Sequence, residues 1–342
     1  MLPQLPMNTP VTVLMPNYNN ELFLKEAINS ILKQTFKDFI FLIVDDGSTD
    51  KSIEIIKSYA DPRIRLIQKE SNSGIVDTLN LGIRNIDTKY YVRMDGDDIS
   101  VPERIQLLYD FMEQNPEVGV CGSHALLFGN INTVWKHELN RKRIKAKIIY
   151  CGGVSHGPSI YRTSVLKDNN IYYTNNHPYM EDYDLFFRLK KHTEYAHLDK
   201  VLYQYRVLGH NSTVKNKSTS MMRHKEMYRD VLHELKIETS DANLEKHLQL
   251  FQSAAPITFK LKEYRKWIGT IIRHNEREKI YPQEELKQIL EEMWKQFFFK
   301  VVPGSLAASI NYFSVSGKIT YNQLMYLSKV KINKLIGRNQ NP

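Results

Sequence analysis

Cysteine is nearly absent. Cys121 and Cys151 stand apart, without CxxC spacing, which argues against a disulfide scaffold or a cysteine-based zinc site and makes a reduced, cytoplasmic compartment the simplest expectation. No run approaches the roughly 18 apolar residues that a membrane-spanning helix needs. The opening MLPQLPMNTP has neither the basic start nor the apolar centre of a secretory signal. The chain is therefore expected to be neither exported by such a signal nor integral to a membrane. Two phosphate-binding devices are also missing: no G-x-G-x-x-G follows the first strand-like segment, and G-x-x-x-x-G-K-S/T occurs nowhere. A dinucleotide fold and a P-loop are thereby disfavoured, so phosphate must be bound by a metal and side chains. Acidic residues cease after Glu292, where Lys295, Lys300, Lys318, Lys329, Lys331, Lys334 and Arg338 interleave with WKQFFFKVV, INYF and LMYL.

What remains is an ordinary globular composition. With 342 residues, 42% hydrophobic and 25% charged, the chain is long enough for one large or two ordinary domains with real cores. Its formal charge of +9 implies an anionic partner, either nucleic acid, an acidic membrane or a phosphorylated substrate.

The first hundred residues alternate in type. VTVLM, FIFLIV, IRLIQ and YYVRM read as short buried strands. ELFLKEAINSILKQ, with a stripe of Leu22, Ala27, Ile28, Ile31 and Leu32, and then GSTDKSIEIIKSYA and GIVDTLNLGIRN read as helices. Strands separated by such helices predict βαβ units in a doubly wound, mostly parallel sheet, whose ligands sit beyond the C-terminal strand ends. Four polar clusters fall at those ends: PNYN, DDGSTD, ESNSG and DGDD. From Pro102 the pattern loosens through PERIQLLYDFMEQN, VGVCGSHALLFG, MEDYDLFFRLKKH and AHLDKVLYQYRV. From about Ser218 it reads as helices, with a soft boundary near Lys215.

An isolated DGDD is most often a surface Asp-Gly turn. Here Asp95, Asp97 and Asp98 follow a buried strand, where ionised carboxylates need a counter-charge and their oxygens suit Mg²⁺ or Mn²⁺. VDDGSTD by itself is a turn with a helix cap, but Asp45 and Asp46 project from the same edge, and a carboxylate there can accept the N–H of a base. Together the clusters point to a nucleotide whose phosphates are held through a metal.

These residues resemble a known family. VLMPNYNNELFLKEAINSILKQTFKDFIFLIVDDGSTDKS, ESNSGIVDTLNLGIRN and YYVRMDGDDISVPERI are similar to the nucleotide-sugar half of family 2 glycosyltransferases of the GT-A fold. The likeness continues through NPEVGVCGS, SHGPSIYRTSVL, MEDYDLFFRL and LYQYRV, over roughly two-thirds of the chain. Within the family it resembles bacterial transferases that extend surface oligosaccharides, including lipooligosaccharide β-1,3-N-acetylhexosaminyltransferases. The resemblance implies a GT-A catalytic domain over residues 1–215, its nucleotide-sugar half about 1–100 and its acceptor half about 101–215, and a helical region over 216–342.

Carried over residue by residue, the resemblance places Pro16, Asn17, Tyr18 and Asp46 around the base and Asn72 and Gly74 at the nucleotide's border. Asp95 and Asp97 contact ribose and metal, Gly96 between them borders the nucleotide-sugar, and Asp98 is the foremost metal ligand. It makes Asp182 the general base, oriented by Glu181, although the local sequence alone reads these as an ordinary helix cap. Arg206 is implied at the diphosphate and His210 at the metal, two residues beyond the family's usual histidine position, which is Leu208 here. His156 falls at the acceptor side or makes a structural hydrogen bond. DTLN at Asp77 to Asn80 departs from the family's Ala-Arg-Asn and so from a phosphate contact.

The expected reaction is metal-dependent inverting transfer from a UDP-sugar to an oligosaccharide acceptor, which the resemblance to surface-glycan transferases implies is lipid-linked. The basic, aromatic tail is expected to lie on an anionic membrane on its cytoplasmic face or to pack on the catalytic domain. No nucleic-acid module is recognisable. Two other readings stand beside the transferase. A nucleotidyltransferase would carry an N-terminal Gly-rich loop that is absent here, and a non-catalytic sugar-nucleotide-binding protein would not need both DGDD and MEDYD.

Overall fold

The computed structural model describes residues 9–208, 217–252, 254–302, 306–317 and 319–328. Short apolar runs become the strands: β1 (Val11–Asn17) is buried along its whole length. In α1 (Leu24–Leu32) the residues Leu24, Ala27, Ile28 and Ile31 face the core at three- and four-residue steps. Leu22, expected in that stripe, is instead 81% exposed. The carbonyl of Asn20 accepts the amides of both Phe23 and Leu24, so Leu22 lies in the turn that launches the helix.

The alternation continues through β2 (Phe39–Asp45), α2 (Ser52–Lys57), β3 (Ile64–Gln68), α3 (Ile75–Arg84) and β4 (Tyr90–Arg93). The second half of this unit contains β5 (Ile99–Ser100), α4 (Arg104–Gln114), β6 (Val118–Gly129), β7 (Thr133–Trp135), α5 (Arg141–Lys147), β8 (Ile160–Arg162), α6 (Thr163–Lys167), α7 (Glu181–Leu189) and β9 (Glu194–Val207). One sheet runs β3-β2-β1-β4-β8-β6-β9-β5, with β7 paired to β6. The first four strands are mutually parallel, and β6 is parallel to β9. The antiparallel contacts involve β8, β7 and β5. The fold class is thus the mixed α/β arrangement, with a mostly parallel first half of the sheet and a C-terminal helical region, that the alternating pattern predicts.

Register decides where the polar clusters go. Asn17 pairs with Asp45, and Asp45 with Gln68, while Arg93 lies opposite Leu14 one strand over. β1, β2 and β3 therefore end in line, with β4 stopping three residues short of β1, and the loops that follow them leave from one edge.

The chain divides into two compact units, Met1–Asn216 and Lys217–Pro342. The second contains α8 (Lys217–Glu234), α9 (Asp241–Phe251), α10 (Leu261–Glu278), α11 (Gln283–Val301) and α12 (Leu306–Ser316), followed by a helical stretch over 321–328. Its core is aromatic: Tyr264, Trp267, Trp294, Phe297, Phe298 and Tyr312 are buried. Trp294 stacks on Tyr312 at 4.9 Å, and the Tyr312 hydroxyl donates to the Trp294 carbonyl at 2.6 Å. The side-chain amine of Lys300 turns inward to the carbonyls of Gln249 and Gln252, both at 2.8 Å. These aromatics and this lysine are therefore not surface anchors. Among the described residues no helix is long and apolar enough to cross a membrane.

Candidate active site

The loops after β1 and β2 are stitched together by short polar side chains. Asn17 donates from Nδ2 to Asp45 at 2.7 Å, and the same carboxylate accepts the amide of Ser48 at 2.9 Å and its hydroxyl at 2.6 Å. Asp45 is thus consumed inside the loop. Asn19 takes the amide of Thr49 at 2.8 Å, and Asp50 takes that of Glu21 at 2.9 Å. Tyr18, at the crest of the first loop, is 45% exposed, so its ring is available to a planar ligand. Pro16 is buried within β1, opposite Val44.

Asp46 points the other way. Its carboxylate accepts the amides of Ser73 at 3.0 Å and Gly74 at 2.9 Å and pairs with Lys69 at 2.5 Å. Burial raises its proton affinity, but Lys69 and the two amides outweigh this and leave its pKa below the ordinary carboxylate value. The loop carrying Asn72 and Gly74 is thereby fastened to the end of β2. Gly47 makes the close approach: at φ 70°, a Cβ there would lie 2.7 Å from the backbone of Ser71.

The carboxylate run after β4 separates into three environments. Asp95 pairs with Arg93 at 2.7 Å, and its amide donates to the Tyr203 hydroxyl at 3.2 Å. Burial pushes its pKa up, yet Arg93 more than offsets this and holds the group low. Asp97 is pushed up to about 6 by burial and by the charge of Asp95. Asp98 is 1% exposed and is driven well above the carboxylate range by burial, Asp95 and Asp97. One of its oxygens accepts the amide of Arg206 at 2.7 Å, while Oδ2 has no partner among the described residues. Gly96 packs tightly, since a Cβ would meet Asn20 Nδ2 at 2.8 Å and Asn17 Oδ1 at 3.1 Å.

A buried carboxylate oxygen without a donor, beside two more carboxylates, is an arrangement that a divalent cation would satisfy, with Asp97 and Asp98 as the donors. Among the described residues, however, no group of three or more His, Cys, Asp or Glu is gathered as a metal site. His210 lies outside the described residues. Arg206 is close by, but its guanidinium is held between Phe23 and Phe128, each 4.5 Å from the ring centre, donates to the Asp97 carbonyl at 2.7 Å and pairs with Glu26. It fastens the carboxylate loop from behind.

Glu181 and Asp182 occupy the first turn of α7, and Asp182 accepts the amide of Tyr183 at 2.7 Å. Glu181 has its pKa raised by burial first and by Asp182 second, and it also feels Arg93 and Asp95. The charges of Arg93 and Asp95 thus reach the start of α7. His156 bonds the Tyr173 hydroxyl at 2.6 Å. Burial, with Arg93 assisting, lowers its pKa to about 3, which disfavours the charged imidazole near neutral pH.

Lys69, Arg93, Arg104, Tyr173 and Tyr203 were not singled out from the sequence. A charged residue closing an otherwise apolar run, as Arg93 closes YYV, was the available signal. The others are joined only by folding. Arg104, entirely buried, donates to the carbonyls of Arg93 at 2.6 Å and Gly157 at 2.8 Å and lies 4.7 Å from the Tyr203 ring centre.

A family model described as Glycosyl transferase family 2 matches residues 12–170. An uncharacterized glycosyltransferase of Methanocaldococcus jannaschii is 32% identical over 206 residues, covering 58% of this chain and 70% of that one. Among solved structures, S. aureus TarS in complex with UDP-GlcNAc superposes with a TM-score of 0.59 at 20% identity, covering 94% of this chain and 92% of that one. A mannosyltransferase of Pyrobaculum calidifontis in complex with GDP-Man and Mn²⁺ gives 0.51 at 13% identity, covering 96% and 81%. At these identities the structural likeness is one of fold.

Proposed function

The chain belongs to glycosyltransferase family 2, and from that membership we propose that it moves a hexose or N-acetylhexosamine from a UDP-sugar to a hydroxyl of a cell-surface oligosaccharide, with inversion at the anomeric carbon. The observation that carries this reading is the carboxylate run at the end of β4, where Asp98 is buried with Oδ2 lacking a partner among the described residues, beside Asp95 and Asp97. The solved TarS complex with UDP-GlcNAc supports the choice of donor.

In this reading the base stacks on Tyr18 and hydrogen-bonds Asp46, bordered by Pro16, Asn17, Asn72 and Gly74. Asp95, Gly96 and Asp97 face the ribose and diphosphate. Asp97 and Asp98 would hold Mn²⁺ or Mg²⁺, a role that the Mn²⁺ in the mannosyltransferase complex supports. Such an ion, when bound, neutralises charge on the diphosphate. Asp182 takes the proton of the acceptor hydroxyl, whose oxygen bonds to the anomeric carbon as the bond to the diphosphate breaks. Glu181 orients Asp182. Residues 1–100 thus serve the donor and 101–215 the acceptor.

The acceptor is read as lipid-linked and the protein as peripheral on the inner face of the cytoplasmic membrane. What supports this is the outward face of the 321–328 helix, where Tyr321, Leu324 and Met325 are exposed at three- and four-residue steps. Between Trp294 and Pro342 the sequence has seven Lys or Arg and no Asp or Glu. A screen of UDP- and GDP-sugars for hydrolysis and thermal stabilisation, with Mn²⁺ present, tests the donor assignment. Stabilisation by no nucleotide sugar would overturn it.

A further inference from the structure

Arg93 is 2% exposed, at the end of a strand whose four residues are all buried. A guanidinium in such a place is costly unless its charge and its N–H groups are met. Its Nη2 donates to Asp95 Oδ1 at 2.7 Å and Nη1 to the Met94 carbonyl at 2.5 Å, while Nε has no partner among the described residues. The main chain that carries it is fixed as well. Its amide bonds the Ser159 carbonyl at 3.0 Å, and its carbonyl receives Arg104.

Asp95 is gripped from the other side too. The Tyr203 hydroxyl approaches Oδ2 at 3.4 Å, and Gly157 leaves the room, since a Cβ there would lie 3.1 Å from the same oxygen. The carboxylate nevertheless keeps 31% of its side-chain surface exposed. A solvated surface turn needs no buried arginine beneath it, and neither Asp97 nor Asp98 is ion-paired with Arg93 in the way Asp95 is. The arrangement aims one carboxylate outward and fixes its direction.

We propose that Arg93 is a positioning residue for the donor, holding Asp95 from beneath in the orientation that receives the nucleotide's ribose. This rests on the donor reading above. The test is a double-mutant cycle in the full chain: wild type, Arg93→Met, Asp95→Asn and the double variant, with UDP binding by calorimetry, donor KM and kcat, and thermal unfolding of each. Arg93→Met is expected to weaken UDP binding and raise donor KM by about tenfold or more, with a smaller change in kcat, and to add less than about twofold in the Asp95→Asn background. Arg93→Lys, which keeps the charge but loses the planar fork, should recover part of the loss. It also carries the same cycle if the methionine variant does not fold. Losses that multiply independently, or UDP affinity unchanged in Arg93→Lys and Arg93→Met, would overturn the inference while leaving the donor reading intact. Wild-type protein that binds neither UDP nor a UDP-sugar would overturn the donor reading itself.

Discussion

Asn80, on helix α3, holds both main-chain groups of Tyr173: Nδ2 donates to the carbonyl at 2.9 Å and Oδ1 accepts the amide at 3.0 Å. Tyr173 in turn bonds His156, so one amide side chain ties α3 to the segment between α6 and α7. The departure from Ala-Arg-Asn at DTLN leaves the asparagine in place, with a structural task. Asn80→Ala would strand two buried backbone groups at a cost of about 1–3 kcal/mol each. A lowered unfolding midpoint together with weaker acceptor use is expected. An unchanged midpoint in differential scanning calorimetry would mean that the bonds do not matter.

Asp182→Asn removes the proposed proton acceptor while keeping the side chain's shape. Turnover should fall by about 10²–10⁴-fold with donor affinity nearly unchanged. Transfer at the wild-type rate would reduce Asp182 to a helix cap.

Removing the divalent cation should weaken UDP binding by about tenfold or more, because the phosphates lose their counter-charge. Asp98→Asn and Asp97→Asn should reproduce that loss and blunt the response to added Mn²⁺. Equal UDP affinity with and without chelator, measured by calorimetry, contradicts the metal assignment.

Acid should destabilise the first unit from near neutrality. His137 stacks on His197 at 4.9 Å, and burial, followed for His137 by the charge of His197, lowers their pKa values to about 3 and about 4. With His156 at about 3, the folded protein holds three neutral imidazoles that the unfolded chain protonates as pH falls through about 6.5. The unfolded state then binds more protons between about 6.5 and these lowered values, so stability is full above that window and declines on acidification. Each histidine contributes at most about 1.4 kcal/mol per pH unit. His197→Gln should make the unfolding midpoint less steep in pH between 7 and 5. An unaltered slope would show that this histidine titrates equally in both states.

Membrane association is expected to need the exposed stripe and to yield to salt. Flotation with vesicles containing anionic phospholipid should recover the wild type at low ionic strength. A Tyr321→Ser, Leu324→Ser, Met325→Ser variant should be left behind. Equal recovery of both, or no recovery of either, counts against the tail as a membrane anchor.

Much of this protein was readable before folding. Apolar runs of strand length, the stripe of Ala27, Ile28 and Ile31, and polar clusters directly after each strand imposed the alternating α/β order. Parallel register then obliges those clusters to share an edge. These are local properties: periodicity and strand ends depend on neighbours a few residues away. The tertiary structure decided which polar group faces which partner. Asp45 and Asp46 are adjacent and chemically alike, yet successive positions leaving a strand diverge, so Asp45 is spent on Asn17 and Ser48 while Asp46 reaches Lys69 and the Ser73–Gly74 amides. Arg206 turned between Phe23 and Phe128, and the tail's Trp294, Phe297 and Phe298 turned inward. Those outcomes depend on side chains brought together from distant parts of the chain, where burial makes an unpaired charge expensive and an exposed ring wasteful.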